Sequence, residues 1–283
     1  MRKIRHHYNW ILSSLFLTLS LAPLPSLAAG QLMVAPTRVI FEARDRTAKV
    51  SLVNNGTETA TYRLEFTRKR MTKDGNFVDV DKPIEGELFC DEMIRFSPRQ
   101  VTLPPGQSQT IRLILRKPAN LATGEYRSHL LFKSIPTSQS SSIESLDDKK
   151  DDKLRIELTP VLGISIPVIV RHGKTEATVS IDNIIMGKTP NNQPAIQFSL
   201  KRVGNQSIYG DLSVSFEKTD GETITLSKAN GISVYSPNAE RSVALPLYTP
   251  KGIQLKGGKL IVTYSLPAEQ GSGLIAKQTL DLP

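Results

Sequence analysis

Apolar and polar residues alternate with a period of two along most of the chain. Tyr62, Leu64 and Phe66 alternate with polar neighbours, and segment 111–115 shows the same pattern. This alternation is typical of a β-strand with one buried face and one solvated face. Turns rich in Asn, Gly and Pro separate such segments, and no long stretch has a convincing helical period. The first half of the chain therefore predicts an antiparallel β-sandwich.

The second half of the chain shows the same pattern and has the length of a second sandwich, roughly 100 residues. We therefore predict an all-β protein with two sandwich domains, residues 30–171 and 175–283, joined at a hinge around 172–174. The alternating segments of the second half are 196–200, 212–216 and 260–264.

The most unusual alternation lies between residues 154 and 171. It predicts a strand of about 18 residues, where five or six is usual. Pro160 and Pro167 each remove a backbone donor, which places the strand at a sheet edge. A long apolar edge is an aggregation hazard unless it pairs with another chain. The open alternative is that its apolar face fills the core of its own domain. The even positions are Leu154, Ile156, Leu158, Pro160, Leu162, Ile164, Ile166, Val168 and Val170.

A polar segment precedes this strand. Residues 136–153 are serine-rich and then densely charged, which predicts a mobile loop. Its opposite charges nearly cancel, so the loop is not expected to bind nucleic acid or a membrane.

The first thirty residues predict a secretory signal peptide. Arg2, Lys3 and Arg5 precede a short apolar run that ends in small residues, so we expect cleavage after Ala28. The run is shorter than the roughly 20 apolar residues that span a bilayer, although an uncleaved anchor is the alternative. Loss of residues 1–28 lowers the net charge from +9 to +6. This basic balance suits an acidic partner or a membrane surface and does not single out nucleic acid.

The composition offers little material for catalysis. The chain has four histidines and one cysteine, and it contains no glycine-rich phosphate loop, nucleophile elbow or metal-ligand spacing. We therefore expect neither an enzyme nor a bound cofactor or metal. Cys90 is expected to be a small buried hydrophobe, with a reactive thiol as the alternative.

Two clusters of polar residues and one histidine have two interpretations each. The acidic segment 85–92 could supply paired carboxylates for glycoside hydrolysis, but a solvated hairpin is favoured because no aromatic platform or cleft accompanies it. The basic run 68–70 is expected to be a solvated strand end rather than an anion site. His129 is expected to lie on the surface or at an interface.

Five segments, taken in order, resemble a known family. They are 36–41 (PTRVIF), 48–54 (AKVSLVN), 104–112 (PPGQSQTIR), 124–132 (GEYRSHLLF) and the long alternating strand that ends at Arg171. This order is similar to the periplasmic pilus chaperones, the PapD-like family of the chaperone–usher pathway. The similarity covers the first sandwich well and the second only in architecture.

The resemblance implies two immunoglobulin-like domains in an L or boomerang arrangement. It also implies a non-enzymatic periplasmic chaperone that delivers pilus or fimbrial subunits to an outer-membrane usher. The residues themselves predict neither a nucleic-acid partner nor stable membrane insertion. In this family the last strand of the first domain fills a gap in the subunit, which is donor-strand complementation. The donor side chains implied here are Leu154, Ile156, Leu158 and Leu162, with Ile164 a weaker candidate nearer the domain junction.

The resemblance also assigns Arg38 to the interdomain arginine that binds the subunit's C-terminal carboxylate. A guanidinium suits this role because its donors form a planar fork; the alternative is an ordinary solvated arginine. The family's second basic residue falls at Pro167, which cannot bind a carboxylate. Either Arg171, His172 or Lys174 substitutes for it, or the carboxylate is held by Arg38 and backbone groups.

Three alternatives stay open at this point. One is a secreted structural or adhesion protein that assembles through its edge strand. Another, weaker, is a carbohydrate-active module. The free chaperone could also dimerise through the same edge.

Overall fold

The computed structural model describes residues 32–136 and 162–283. These residues form strands, two three-residue 3-10 helices and the turns between them. The predicted signal peptide and nearly all of the predicted loop 136–153 lie outside the described residues. In the described ranges, no helix is long and apolar enough to cross a membrane. The predicted donor residues that also lie outside these ranges are Leu154, Ile156 and Leu158.

The first domain is a sandwich of two sheets with a small hairpin at its side. One sheet has the order β1-β3-β9-β7, the other has the order β2-β11-β10-β4-β8, and β5 pairs with β6 alone. Paired strands are antiparallel except β2 and β11, which are parallel. The strands are β1 (Leu32–Ala35), β2 (Val39–Phe41), β3 (Thr47–Asn54), β4 (Ala60–Thr67), β5 (Lys69–Met71), β6 (Phe77–Asp79), β7 (Ile94–Ser97), β8 (Gln100–Leu103), β9 (Ser108–Leu115), β10 (Gly124–Ile135) and β11 (Gly163–His172).

The second domain is a sandwich with its own core. Its sheets have the orders β12-β13-β16 and β15-β14-β17-β18. The strands are β12 (Ala177–Lys188), β13 (Pro194–Gly204), β14 (Ile208–Glu217), β15 (Thr223–Val234), β16 (Glu240–Pro246), β17 (Gly258–Ser265) and β18 (Leu274–Leu282).

The alternating residues build the two cores. Leu64, Ile111 and Leu113 are buried in the first, and Phe198 and Val262 are buried in the second. Burial of one such side chain stabilises the fold by about 1.5–3 kcal/mol, so the period-two pattern directs each strand's apolar face inward. The prediction of an all-β protein with two immunoglobulin-like sandwiches in tandem is confirmed.

The link between the sandwiches is short. β11 ends at His172 and β12 begins at Ala177. Gly173 between them has a φ of +69°, and a Cβ there would lie 2.4 Å from Thr123 Oγ1. Only glycine fits this left-handed, crowded position without strain. The exact division at 172–174 stays a prediction.

Strand β11 corrects one expectation from the sequence. It is not a sheet edge along its whole described length, because β2 pairs with it at Val168–Val170 while β10 pairs on the other side. From Gly163 to Pro167 no described strand occupies the side away from β10. Ile166, Val168 and Val170 are buried in the first core. The N-terminal part of β11 is therefore an edge that no described strand covers, and its C-terminal part fills the core of its own domain.

Hairpin β5–β6 of the first domain packs against the second domain. Met71 and Ile169 form a small buried cluster with Tyr235 of the second domain. Asn238 Nδ2 donates a 2.8 Å hydrogen bond to the Met71 carbonyl, and the Ser242 N–H reaches the carbonyl of residue 73 at 2.7 Å. The domains thus share a packed and hydrogen-bonded junction.

Candidate functional site

The free part of β11 carries exposed apolar side chains. Leu162 and Ile164 are 57% and 39% exposed, and both lie at the same parity as the buried Ile166. Pairing with β10 extends to Leu162, since the Ser134 N–H donates to the Leu162 carbonyl at 2.8 Å and the Leu162 N–H donates to Ser134 Oγ at 3.0 Å. The apolar face of β11 therefore continues beyond the domain's own core, beside a backbone edge that no strand in the described part of the chain covers. Such an edge can accept a strand from another chain.

Arg38 lies just before β2 and lines a cavity of about 570 Å³ between the domains. Its guanidinium carbon lies 3.8 Å from the centre of the Tyr209 ring. Its Nε and Nη1 atoms are buried and have no hydrogen-bond partner among the described residues. A buried donor left unpaired costs about 1–3 kcal/mol. Arg38 is thus not an ordinary solvated arginine, and a carboxylate in the cavity would satisfy its donors.

The three substitutes suggested for the family's second basic residue differ in position. Arg171 lines the Arg38 cavity, whereas His172 and Lys174 line a neighbouring one. Arg171 Nε donates to Glu125 Oε2 at 3.1 Å, and its Nη1 pairs with Glu42. Because two carboxylates already bind its guanidinium, Arg171 is poorly suited to hold a further anion.

Arg127 is a second arginine at the domain junction, and sequence reasoning did not single it out. It lies on β10, is 6% exposed, and stacks on Tyr235 of the second domain at 4.2 Å. Its Nε and Nη1 also lack a partner among the described residues. Burial lowers the pKa of Arg127, and Tyr235 and Glu125 only partly oppose this. The alternation along β10 places Arg127 on the solvated face, but residues 124–130 are buried on both faces.

His129 lies beside this pair. Its ring centre is 5.2 Å from that of Phe77 and 6.5 Å from that of Tyr235, and the residue is 3% exposed. Burial, with smaller effects of Arg127 and Lys69, lowers the pKa of His129 to about 3. His129 therefore lies at the interface between the domains, and the surface alternative is wrong.

The acidic and basic clusters of the first domain neutralise each other. Arg70 donates to both carboxylate oxygens of Glu87, at 2.5 and 2.8 Å, and Arg68 Nη2 contacts Asp91 at 2.8 Å. The hydrogen bond from Arg70 lowers the pKa of Glu87. For Asp91, burial raises the pKa, but hydrogen bonds from Arg68 and Ser128 outweigh it and the net pKa is lowered. Glu85 and Glu92 are exposed, as expected for a solvated hairpin, whereas the four residues named above are half-buried in ion pairs.

Cys90 is a buried structural residue, as predicted. It is fully buried, its thiol donates to the Val168 carbonyl at 3.2 Å, and burial raises its pKa to about 12. A thiol with this pKa is almost wholly protonated at neutral pH, which contradicts the reactive alternative. In the part of the chain that the structure describes, no three His, Cys, Asp or Glu side chains are grouped to hold a metal ion.

Comparison with known proteins gives one sequence match and several structural ones. The sequence model of the family described as "Pili and flagellar-assembly chaperone, PapD N-terminal domain" matches residues 31–174, just over half of the chain. No curated protein matches the chain.

Three solved structures illustrate the structural similarity. The Acinetobacter baumannii CsuC–CsuE chaperone–tip adhesion subunit pre-assembly complex is 14% identical, with 89% of this chain and 98% of that chain covered and a TM-score of 0.42. The Pseudomonas aeruginosa CupB2 chaperone is 13% identical, with 89% and 100% covered and a TM-score of 0.41. The E. coli chaperone DraB is 13% identical, with 90% and 97% covered and a TM-score of 0.43.

Proposed function

Since the chain belongs to the family of pili and flagellar-assembly chaperones with the PapD N-terminal domain, we propose that it is a non-enzymatic periplasmic chaperone for pilus or fimbrial subunits. It binds a subunit by donor-strand complementation and delivers it to an outer-membrane usher. The single observation that supports this best is the edge of β11 at residues 163–167, with which no described strand pairs, next to the exposed Leu162 and Ile164.

The edge supplies two kinds of interaction. Its free backbone N–H and C=O groups can form a ladder with any extended strand, which gives affinity with little dependence on sequence. Its apolar side chains supply the rest, because burial of each is worth about 1.5–3 kcal/mol before ordering costs. Leu162 and Ile164 are the described donors in this proposal, and the sequence continues their parity through Leu154, Ile156 and Leu158.

Arg38 sets the position of the subunit along this edge. Arg38 lines a cavity beside β2, the strand that pairs with Val168–Val170 of β11. A terminal carboxylate held there would be the fixed point from which the subunit's last strand runs along the free edge. This matters because a slip of one residue would turn every apolar side chain to the wrong face.

The test is a double substitution, Leu162→Asp with Ile164→Asp. Both side chains are exposed, so the variant should fold, while two charges on the donor face should prevent burial in a subunit groove. The chaperone is co-expressed with the small secreted proteins encoded beside it, and the periplasmic fraction is purified through a tag on the chaperone. We expect the wild type to recover a neighbouring secreted protein and the double variant to recover less than about a tenth as much, since two lost side-chain burials exceed 1.4 kcal/mol.

The matched control is Ile185→Asp with Val203→Asp. These apolar residues of the second domain are 56% and 72% exposed, so the control adds the same charges away from β11. Circular dichroism checks that both variants fold. Equal recovery of the secreted protein by wild type and β11 variant would exclude donor-strand complementation through this edge.

A further inference from the structure

The Arg38 site is built from both domains. Arg38 precedes β2 of the first sandwich, whereas Tyr209, the ring beneath its guanidinium, lies on β14 of the second. The family match ends at residue 174, so Tyr209 lies in a part of the chain that this match does not reach.

The Tyr209 ring is held against a glycine. A Cβ at Gly231 on β15 would lie 3.0 Å from Tyr209 Oη and 3.5 Å from its Cε2. Gly231 has a φ of +71°, and its N–H donates to Asp211 Oδ1 at 2.8 Å. A larger residue would both strain this backbone and crowd the ring. The absence of a side chain at Gly231 therefore leaves room for Tyr209 beside β15, while the face of the ring contacts the guanidinium.

Stacking leaves the edge of the guanidinium available. A cation over an aromatic face uses the flat side of the group, and the donors of Arg38 lie in the guanidinium plane. Nε and Nη1 are themselves buried without a partner among the described residues, so a carboxylate would approach the guanidinium from the side on which Arg38 lines the cavity. An unrestrained arginine loses side-chain rotamer entropy when an anion fixes it, so an arginine that is already stacked binds an anion at a lower entropic cost.

We propose that Tyr209 is a positioning residue that holds Arg38 ready for the terminal carboxylate of a subunit, so that the second domain takes part in the anchor. This inference rests on the proposed function of Arg38. It assigns a role in subunit capture to a residue of the second domain that acts through Arg38.

The test follows the Arg38 Nε–H signal by NMR in the whole mature protein, with Arg38→Lys used to assign it. Acetate is the probe for a carboxylate, and acetamide is the uncharged control. In the wild type we expect an upfield ring-current shift of this signal and a further shift on acetate titration. Tyr209→Phe should preserve both. Tyr209→Leu should abolish the ring-current shift and weaken the acetate affinity about three- to fivefold, the size of a partly exposed cation–π contact.

The controls separate positioning from folding. Tyr248→Leu removes a 63% exposed tyrosine of the same domain and should leave the Arg38 signal unchanged. Tyr209→Met is the second variant if the leucine variant folds poorly, and circular dichroism reports on both.

The outcomes also separate the inference from the function it rests on. Acetate binding at Arg38 that is equal in wild type and Tyr209→Leu would overturn the positioning role while the anchor stands. A wild-type Arg38 signal that acetate does not move, together with undiminished subunit recovery by Arg38→Ala, would overturn the anchor and the positioning role with it, while strand donation by β11 would still be tested separately.

Discussion

Two arginine–tyrosine pairs cross the domain junction, and in each the arginine belongs to the first domain and the ring to the second. Arg38 lies 3.8 Å from the Tyr209 ring centre, and Arg127 lies 4.2 Å from that of Tyr235. Both guanidinium groups have a buried Nε and Nη1 without a hydrogen-bond partner among the described residues. The two pairs therefore make the same kind of contact, a guanidinium over an aromatic ring.

The pairs differ in access. Arg38 is half-buried and lines an open cavity of about 570 Å³, whereas Arg127 is 6% exposed and is covered by its own domain and Tyr235. An unpaired guanidinium can bind a ligand only where a path for the ligand exists. The comparison therefore supports the proposed recognition role of Arg38 and a packing role for Arg127, and the substitutions of these two arginines below test the pairs separately.

The largest expected effect is on stability, from Arg127→Ala. This change removes a large buried side chain and its contact with Tyr235, so we expect unfolding to become easier by about 3 kcal/mol, as for other large-to-small changes in buried sites. Urea unfolding followed by circular dichroism measures it. Subunit recovery per folded molecule should not change.

Arg127→Met separates volume from charge at this position. It keeps most of the packing volume and removes a desolvated charge, so its stability should stay within about 1 kcal/mol of the wild type or exceed it. If Arg127→Met were as destabilising as Arg127→Ala, the charge rather than the packing of Arg127 would hold the domains together.

The second prediction concerns pH and the buried pair's neighbour, His129. Burial lowers the pKa of His129 to about 3 in the folded protein, against about 6.5 in an unfolded chain. As the pH falls below 6.5, His129 binds a proton in the unfolded chain but not in the folded protein. The free energy of unfolding therefore decreases as the pH falls. Between pH 7 and pH 5 the loss should be about 2 kcal/mol.

The His129→Phe variant tests this slope. Phenylalanine keeps an aromatic contact with Phe77 and does not titrate. Glu87 and Asp91, whose pKa values are lowered, stay largely ionised in this pH window in both states. Urea unfolding at pH 7, 6 and 5 should therefore give a flatter profile for the variant, and parallel profiles would show that His129 is open to protonation in the folded state.

The third prediction concerns the accessible pair. Arg38→Ala should weaken subunit binding at least about tenfold, because it removes charge-assisted hydrogen bonds worth about 1.5–3 kcal/mol. Its effect on unfolding should be below about 1 kcal/mol, since its donors have no partner to lose. Titration of purified subunit with the chaperone measures the change in binding affinity, and urea unfolding measures the change in stability. A variant that is destabilised but binds normally would make Arg38 structural.

The strands could be predicted from the sequence because burial within one sandwich leaves a period of two. Leu64 on β4 and Val262 on β17 are buried as their segments predict. The same rule failed along β10, where Arg127 and His129 occupy positions that alternation makes solvent-facing. The second domain covers that face of the sheet, and no pattern within a single strand can indicate what packs across a junction.

The candidate site shows the same limit. Arg38 was identified through a family resemblance, and its partner Tyr209 is more than 170 positions away in the chain. Nothing in the alternation around Tyr209 or Gly231 indicates their contact, because it depends on how the sandwiches meet. Leu162 and Ile164 were predictable as apolar, but which part of β11 is free depends on where β2 stops pairing with it.

The smallest expected effect concerns the ion pair at the tip of hairpin β5–β6, which also crosses the junction. Lys73 Nζ lies 3.2 Å from Glu240, but the Lys73 side chain is 66% exposed, and exposed ion pairs contribute little because water screens them. Lys73→Ala should therefore change the free energy of unfolding by less than about 0.5 kcal/mol and leave the His129 profile unchanged. The neighbouring 2.7 Å backbone bond from Ser242 would persist in this variant. A loss as large as that of Arg127→Ala would show that an exposed charge pair, rather than the buried arginine–tyrosine stack, controls this side of the junction.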